Sequence, residues 1–260
     1  MTTLVQYREM ERTIGMITLN RPEAANAMSV QLLRELGECL QSVSKKRNIR
    51  VVLITGSGDK AFCAGADLKE RKKMDEQQVR ETVRLIGSTI QQVEDLPQPV
   101  IAVMNGVAFG GGLELALACD LRLASYDAKM GLTEVSLGII PGAGGTQRLP
   151  RIIGVGKAKE LIYTARRITA TEALEMNLIN YVYEKEILLE KAIELANEIG
   201  KNAPLSLIQA KIAINKGVEV DLSTGLKIEE LAYNELLNTE DRLEGLKAFQ
   251  EKREPQYVGK

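Results

Sequence analysis

Residues 105–120 read NGVAFGGGLELALACD, and this stretch does most to decide the fold. Its three consecutive glycines, residues 110–112, open a segment that is apolar almost all round, which predicts a buried helix rather than a surface helix. The first-turn amides of such a helix have no partner within it and can bind developing negative charge. The stretch therefore predicts a buried helix whose first turn is free to bind a ligand.

One acidic residue, Glu114, stands in this apolar segment where leucine or alanine is expected. Burying an unpaired carboxylate costs on the order of several kcal/mol, so proteins usually keep one for a partner or for chemistry. The alternative is a structural glutamate near a helix N-terminus that backbone amides satisfy. The sequence alone leaves both interpretations open.

Apolar runs and helical patterns alternate on both sides of this stretch. Strands are predicted over 14–19, 51–55, 100–104 and 121–124, and helices over 29–43 and 75–94. This alternation is typical of an α/β protein with a parallel sheet and crossover helices. Residues 136–147 read as a glycine-rich loop, and helices are predicted over 156–164, 171–177, 184–198, 205–215, 221–237 and 242–252. We expect a core over residues 1–200 and a helical C-terminal region over 201–260.

A second isolated acid occurs in residues 131–154, GLTEVSLGIIPGAGGTQRLPRIIG. Glu134 lies among mostly apolar residues, twenty positions after Glu114 (134 − 114). Two such carboxylates can converge on one pocket, where burial and mutual repulsion raise the pKa of at least one of them. A pair of this kind can perform general acid–base catalysis without histidine.

The composition excludes several classes of protein. The 260 residues include no histidine, which rules out Ser-His-Asp and Cys-His catalysis and imidazole zinc sites. The three cysteines are far apart and form no C-x-x-C motif, so we expect no metal site. The formal net charge of −1 argues against a protein built mainly for nucleic acid. No apolar run approaches the ~20 residues of a membrane span and no targeting segment is recognised, so we expect a cytoplasmic protein without membrane contact.

The glycines do not form a dinucleotide-binding motif. A G-x-G-x-x-G pattern from Gly110 requires glycine at the position of Leu115, and one from Gly142 requires glycine at the position of Gln147. Neither place therefore matches the motif that binds a nicotinamide dinucleotide.

Residues 61–70, AFCAGADLKE, follow a predicted buried strand. Their small side chains let a ligand approach the backbone, although a tight strand-to-helix turn would use the same residues. The basic cluster that follows, Lys69, Arg71, Lys72 and Lys73, is typical of a solvated helix end; its functional alternative is a site for phosphates or nucleic acid.

Residues 61–70, 105–120 and 131–154 follow one another along the chain in that order. Together they resemble the crotonase superfamily, the enoyl-CoA hydratase/isomerase family, and the resemblance covers essentially the whole chain. The phrases LKERKKM (68–74) and DRLEGLKAFQEKREP (241–255) look most like the methylglutaconyl-CoA hydratase branch, close to the short-chain enoyl-CoA hydratases. The resemblance implies an α/β fold: a spiral of stacked ββα units with a C-terminal helical trimerisation region. It further implies a homotrimer, often paired into a hexamer.

The resemblance also implies roles for individual residues. The backbone N–H groups of Ala66 and Gly111 match the oxyanion hole that holds the thioester carbonyl of an acyl-CoA substrate. Glu114 and Glu134 match the pair that holds one water, Glu114 activating it for attack at Cβ and Glu134 supplying the proton to Cα. The expected contacts with substrate and CoA are Ala64, Gly65, Ala66, Asp67, Leu68, Lys69 and Gly111. No cofactor is implied, because CoA is part of the substrate.

Three questions stay open at this stage. Because family isomerases commonly lack one of the two glutamates, their joint presence favours water addition over double-bond migration, with isomerisation as the alternative. The related branch is also described as binding AU-rich RNA, for which the basic cluster is the candidate, although the net charge argues against strong binding. A glutaconyl-type substrate carries a second carboxylate, and Arg71, Arg80 and Arg84 are candidates to bind it.

Overall fold

The computed structural model describes residues 3–11 and 13–260 and contains two β-sheets. The strands are β1 (Val5–Met10), β2 (Ile14–Leu19), β3 (Val51–Gly56), β4 (Ala61–Cys63), β5 (Val100–Met104), β6 (Val107–Phe109), β7 (Leu121–Ser125), β8 (Lys129–Gly131), β9 (Ile168–Thr169) and β10 (Tyr181–Tyr183). The larger sheet has the order β1-β2-β3-β5-β7-β10, and the smaller has the order β4-β6-β8-β9.

The chain alternates between the two sheets. The successive pairs β3 and β4, β5 and β6, and β7 and β8 each contribute one strand to the larger sheet and one to the smaller. Within each sheet these strands are parallel, while β1 and β9 join the edges antiparallel. This is the spiral of stacked ββα units that the family resemblance implies. Strand–helix alternation alone predicted one parallel sheet, because three-residue strands such as β4, β6 and β8 show no periodicity.

The described part of the chain contains eleven helices. They are α1 (Val30–Val43), α2 (Leu68–Arg71), α3 (Glu76–Glu94), α4 (Gly111–Leu117), α5 (Gly145–Ile153), α6 (Val155–Thr164), α7 (Ala170–Glu175), α8 (Lys185–Gly200), α9 (Pro204–Gly217), α10 (Leu222–Asn234) and α11 (Glu240–Glu251). Short 3₁₀ helices span Pro22–Ala24 and Glu134–Leu137. Side-chain caps fix several starts; Ser29 accepts the Leu32 N–H, and Asp75 forms a capping box with Gln78.

One predicted loop is shorter than expected. Residues 136–147 were expected to form a loop, but α5 begins at Gly145 and includes Pro150 in its interior. Proline lacks the amide hydrogen that an internal helical position needs, so the sequence around it argues against a helix. The helix forms all the same, and it places Arg148 one turn after its start.

The larger sheet is buried on both faces. Val52 and Ile54 of β3 belong to the main apolar core with α1 and α3, whereas Val51 and Leu53 belong to a second core beneath α8. Alternate side chains of a strand point to opposite faces, so a strand covered on both sides reads as a continuous apolar run. This explains why the strand at 51–55 was visible in the sequence.

The C-terminal helices follow directly on α8. Arg50 ties this region to the sheet, because its guanidinium donates to the carbonyl oxygens of Gly200 (2.8 Å) and Tyr257 (2.6 Å). The buried Asp241 carboxylate accepts the amides of Val258 and Gly259 and fixes the last residues. A boundary between residues 200 and 201 stays a prediction. Among the residues described, no helix is both long and apolar enough to cross a membrane.

Candidate active site

A cavity of about 620 Å³ lies at the carboxyl ends of three strands of the smaller sheet. Strands β4, β6 and β8 are parallel and are followed by residues 64–66, 110–111 and 133–134, all of which line the cavity. Carboxyl ends of parallel strands are where α/β proteins usually bind ligands, because loops from neighbouring strands meet there. The spiral thus gathers residues that are far apart in the chain.

Two backbone amides meet on one wall of this cavity. Gly65 has a φ of +93°, and a Cβ there would lie 3.2 Å from the Gly111 nitrogen; a Cβ on Gly111 would lie 3.8 Å from the Ala66 nitrogen. The loop after β4 and the start of α4 therefore pack backbone against backbone, which glycine permits. Among the described residues, neither the Ala66 nor the Gly111 N–H donates a hydrogen bond. Both remain free to bind an oxygen in the cavity.

Glu114 is buried in the first turns of α4, and its carboxylate is held from outside that helix. Its Oε1 accepts the N–H groups of Ala143 (2.7 Å) and Gly145 (2.8 Å). Backbone amides do satisfy it, as one sequence interpretation proposed, but they come from the loop before α5 rather than from its own helix. Burial raises the pKa of Glu114, and these two amides together with the Arg148 charge oppose that rise.

Glu134 opens the 3₁₀ helix after β8 and has a different environment. Its Oε2 atom is buried and has no hydrogen-bond partner among the residues described. A Cβ on Gly110, whose φ is +51°, would lie 3.1 Å from its Oε1, so Gly110 leaves room for this side chain. Burial, and to a smaller extent the Glu114 charge, raise the pKa of Glu134 to about 7. The Glu114 carboxylate thus accepts two backbone amides, whereas Glu134 keeps one buried oxygen without a partner among the described residues.

The structure brings the four residues of the predicted centre together. Glu114, Glu134, Ala66 and Gly111 all line the same cavity. The convergence that the sequence suggested is therefore a fact of the fold, and the roles of these residues in catalysis stay predictions.

The predicted CoA-contacting residues divide into two groups. Ala64, Gly65 and Leu68 line the cavity with Ala66 and Gly111, whereas Asp67 and Lys69 do not. The Asp67 carboxylate instead caps α2 by accepting the amides of Lys69 (2.9 Å) and Glu70 (3.1 Å), and it pairs with Arg21 at 2.6 Å. Lys69 is exposed on α2. Contact of these two residues with CoA stays a prediction.

The three arginine candidates for a distal carboxylate are separated by the structure. Arg71 lines the cavity, and its side chain forms no hydrogen bond or ion pair with any described residue. Arg80 is exposed and pairs with Glu76 on the surface of α3, and Arg84 is exposed on the same helix. Lys72 and Lys73, the rest of the basic cluster, are exposed as well, and RNA binding there stays a prediction.

Sequence reasoning missed several parts of the site. The amide donors at Ala143 and Gly145 lay in a segment recognised only as a glycine-rich loop. The apolar wall of the cavity was also unassigned; it consists of Val83, Ile86, Leu137, Ile139 and Ile140. The glycine spacing signalled close backbone approach, but no pattern indicated which side chain the loop approaches.

Comparisons with known proteins identify the family and the fold. A family model described as enoyl-CoA hydratase/isomerase matches residues 9–260. YngF of Bacillus subtilis (strain 168), provisionally named an enoyl-CoA hydratase/isomerase, is 59% identical over 95% of this chain and 95% of that protein. The mitochondrial methylglutaconyl-CoA hydratase of Mus musculus is 48% identical over 96% of this chain and 81% of that protein. The crystal structure of an enoyl-CoA hydratase from Bacillus anthracis has a TM-score of 0.98 at 54% identity, covering 99% of this chain and 100% of that chain.

The protein thus has the crotonase fold, and enzymes of this family act on acyl-CoA thioesters. The chain belongs to the enoyl-CoA hydratase/isomerase family.

The coupling between the two carboxyls can be tested without substrate. Because the Glu114 charge contributes to the raised pKa of Glu134, we expect Glu114→Gln to move the pKa of Glu134 downward from about 7. Carbon-13 NMR of glutamate carboxyls across a pH series measures this shift. Glu160→Gln, which removes a carboxylate from the protein surface, is the control and should leave the Glu134 titration where it is. An upward or absent shift in Glu114→Gln contradicts the coupling.

Proposed function

We propose that this enzyme adds water reversibly across the 2,3 double bond of an enoyl-CoA thioester. The observation that carries the proposal is the pair of carboxyls in one cavity with unequal environments. Hydration needs one group that accepts a proton and one that supplies a proton, and environments that separate the pKa values of two carboxyls provide both.

The amides of Ala66 and Gly111 would bind the thioester carbonyl oxygen. Negative charge grows on this oxygen when water attacks C3, and fixed donors in a water-poor site stabilise that charge without reorganising. Removing one such donor typically costs about 3–4 kcal/mol of transition-state stabilisation. The α4 N-terminus adds the partial positive charge of its unpaired amides at Gly111.

The two glutamates would share one water. Glu114, whose anion two amides and Arg148 favour against the effect of burial, accepts a proton as the water oxygen bonds to C3, and the thioester becomes an enolate. Glu134, whose pKa of about 7 keeps a proton available near neutral pH, donates that proton to C2. The sum is one water added, and proton exchange with solvent resets the pair. We propose that no metal or cofactor takes part beyond the CoA of the substrate.

The roles of the two carboxyls predict large losses on amide substitution. Glu114→Gln and Glu134→Gln should each lower kcat for crotonyl-CoA hydration by about 100- to 10,000-fold, the usual range for general acid–base groups. Loss of the enoyl-thioester absorbance measures the rate. Glu186→Gln, on the exposed surface of α8, is the matched control and should retain the normal rate.

Two results would contradict the proposal. Near-normal hydration by Glu114→Gln would remove that residue from the mechanism. If the unmodified enzyme instead converts a 3-enoyl-CoA to a 2-enoyl-CoA without hydrating either, the isomerase alternative is correct.

We further propose that the preferred acyl group carries a second carboxylate, as in 3-methylglutaconyl-CoA. The half-buried Arg71 supports this, because it lines the cavity and its guanidinium has no ion-pair partner among the described residues. A planar guanidinium binds a carboxylate through two parallel hydrogen bonds. The similarity to a mouse protein named methylglutaconyl-CoA hydratase points to the same class of substrate. A plain short-chain enoyl-CoA would need no such cation.

Substitution of Arg71 should therefore separate the two substrates. Arg71→Leu should raise KM for 3-methylglutaconyl-CoA by about 10- to 100-fold, as expected for about 1.5–3 kcal/mol lost with a charged hydrogen bond, and change KM for crotonyl-CoA far less. Arg84→Leu, exposed on α3, serves as the control. Equal effects on both substrates, or faster turnover of crotonyl-CoA by the unmodified enzyme, would contradict recognition of a distal carboxylate.

We also propose that the chain assembles as a trimer, alone or paired into a hexamer. The support is a group of exposed apolar side chains on the last three helices or directly after α9: Ile214, Val218, Leu222, Leu226, Leu231, Tyr233, Leu243, Leu246 and Phe249. Large exposed apolar surface is uncommon on monomers and usually marks an interface. Phe249 is 84% exposed, so the fold of the single chain does not explain it.

Charged substitutions on α11 should dissociate the trimer or hexamer into single chains. We expect Leu246→Asp combined with Phe249→Asp to lower the mass from a multiple of three chains to that of one chain, measured by light scattering after size-exclusion chromatography. Tyr126→Ser removes an exposed aromatic from the spiral instead and should leave the mass unchanged. A monomeric unmodified protein would contradict the proposal.

A further inference from the structure

Arg148 links three elements around the proposed site although it does not line the cavity. Its Nη1 donates to the Ala143 carbonyl oxygen at 3.1 Å. Its Nε donates to Glu94 Oε2 at 2.7 Å, and its Nη2 donates to Gln91 Oε1 at 2.8 Å. The guanidinium of α5 thus fastens the loop before that helix to the end of α3.

The loop that Arg148 fastens is the one that holds Glu114. Ala143 donates its N–H to Glu114 and accepts from Arg148 through its carbonyl oxygen, so a single residue joins the carboxylate to the guanidinium. Gly145 supplies the second amide. Gly144 between them has a φ of +102°, and a Cβ there would lie 2.1 Å from Arg148 Nη1. The loop conformation and the guanidinium position therefore require each other.

We propose that Arg148 is a positioning residue, which fixes the Ala143 and Gly145 amides on the Glu114 carboxylate. This inference rests on the proposed hydration, in which Glu114 must be an anion to accept a proton from water. A planar guanidinium with its Nε and both terminal nitrogens engaged holds the loop more rigidly than an ammonium group, which has no fixed fork.

The charges around Glu114 are few. Glu134 contributes the second carboxyl of the cavity, Arg71 lines the same cavity, and Arg148 contributes the cation that lowers the pKa of Glu114. Glu94 on α3 partly neutralises that cation. The strand β4, which packs on α4, contributes only the Cys63 thiol, which stays neutral because burial raises its pKa to about 12. Removing the Arg148 charge should therefore raise the pKa of Glu114, and removing the Glu94 charge should lower it.

The test compares three variants of the enzyme. Arg148→Met removes the charge at similar length, so the pKa of Glu114 should rise and the acidic limb of the kcat/KM profile should move to higher pH. Arg148→Lys keeps the charge without the fork, so kcat should fall about 10- to 100-fold, as for a misplaced catalytic group, with less movement of the profile. Glu94→Gln removes the neutralising charge, so the limb should move to lower pH.

Arg151→Met is the matched control. Arg151 lies one turn further along α5 and pairs with Glu219 at 2.8 Å on the surface, so its loss should change neither kcat nor the profile. Carbon-13 NMR of the Glu114 carboxyl gives its titration without substrate, and circular dichroism checks that each variant folds. If Arg148→Met does not fold, Glu94→Gln carries the test.

The outcomes separate this inference from the proposed function. Opposite shifts of the Glu114 titration in Arg148→Met and Glu94→Gln support positioning by Arg148. An unchanged titration in both, or an unchanged kcat in folded Arg148→Lys, overturns it even if the unmodified enzyme hydrates enoyl-CoA normally. Absence of hydration in the unmodified enzyme overturns the proposed function, while the NMR titration still reports on Arg148.

Discussion

The burial of the Glu114 carboxylate is the constraint on which the site depends. A carboxylate inside an apolar helix costs on the order of several kcal/mol unless hydrogen bonds replace its hydration. Here the replacement comes from Ala143 and Gly145, which lie 29 and 31 residues away in the chain. The loop before α5 must therefore stay close to α4. That requirement explains why residue 145 is a glycine, since a Cβ there would lie 2.9 Å from a Leu132 methyl and 3.0 Å from the carboxylate itself.

The other glycines of the site follow from the same close packing. A Cβ on Gly112 would lie 2.0 Å from the Cys63 carbonyl oxygen, so α4 can pack against the end of β4 only without a side chain at this position. That contact brings the loop carrying Ala66 beside the α4 N-terminus carrying Gly111. The glycine triplet thus serves backbone approach between two protein segments. This agrees with the failure of the dinucleotide pattern, in which glycines serve approach to a pyrophosphate.

The sequence predicted those elements that leave a local hydrophobic period or an apolar run in the chain. Long helices such as α1 and α3 and buried strands such as β3 and β5 were visible, because each buries a face or a whole strand of apolar side chains. The short strands of the smaller sheet were not visible, since three residues carry no period. In the site, Glu114 and Glu134 could be recognised as isolated acids in the sequence, and their meeting in one pocket was a hypothesis. The link from Arg148 through Ala143 to Glu114 could not be predicted, because it depends on tertiary contacts and because residues 136–147 were interpreted as a loop although α5 begins at Gly145.

The two carboxyls differ in what surrounds them rather than in what they are. Glu114 receives two amides and a nearby guanidinium, which oppose the rise in its pKa caused by burial, whereas Glu134 has a buried oxygen without a partner among the described residues. A carboxyl whose pKa rises from 4.5 in the unfolded chain to about 7 in the folded protein binds more protons when folded between those values. Folding is therefore progressively disfavoured by this group as the pH rises through that window. Strongly raised pKa values of this kind cluster at functional sites, and the rest of the fold must supply the stability that such a group removes near neutral pH.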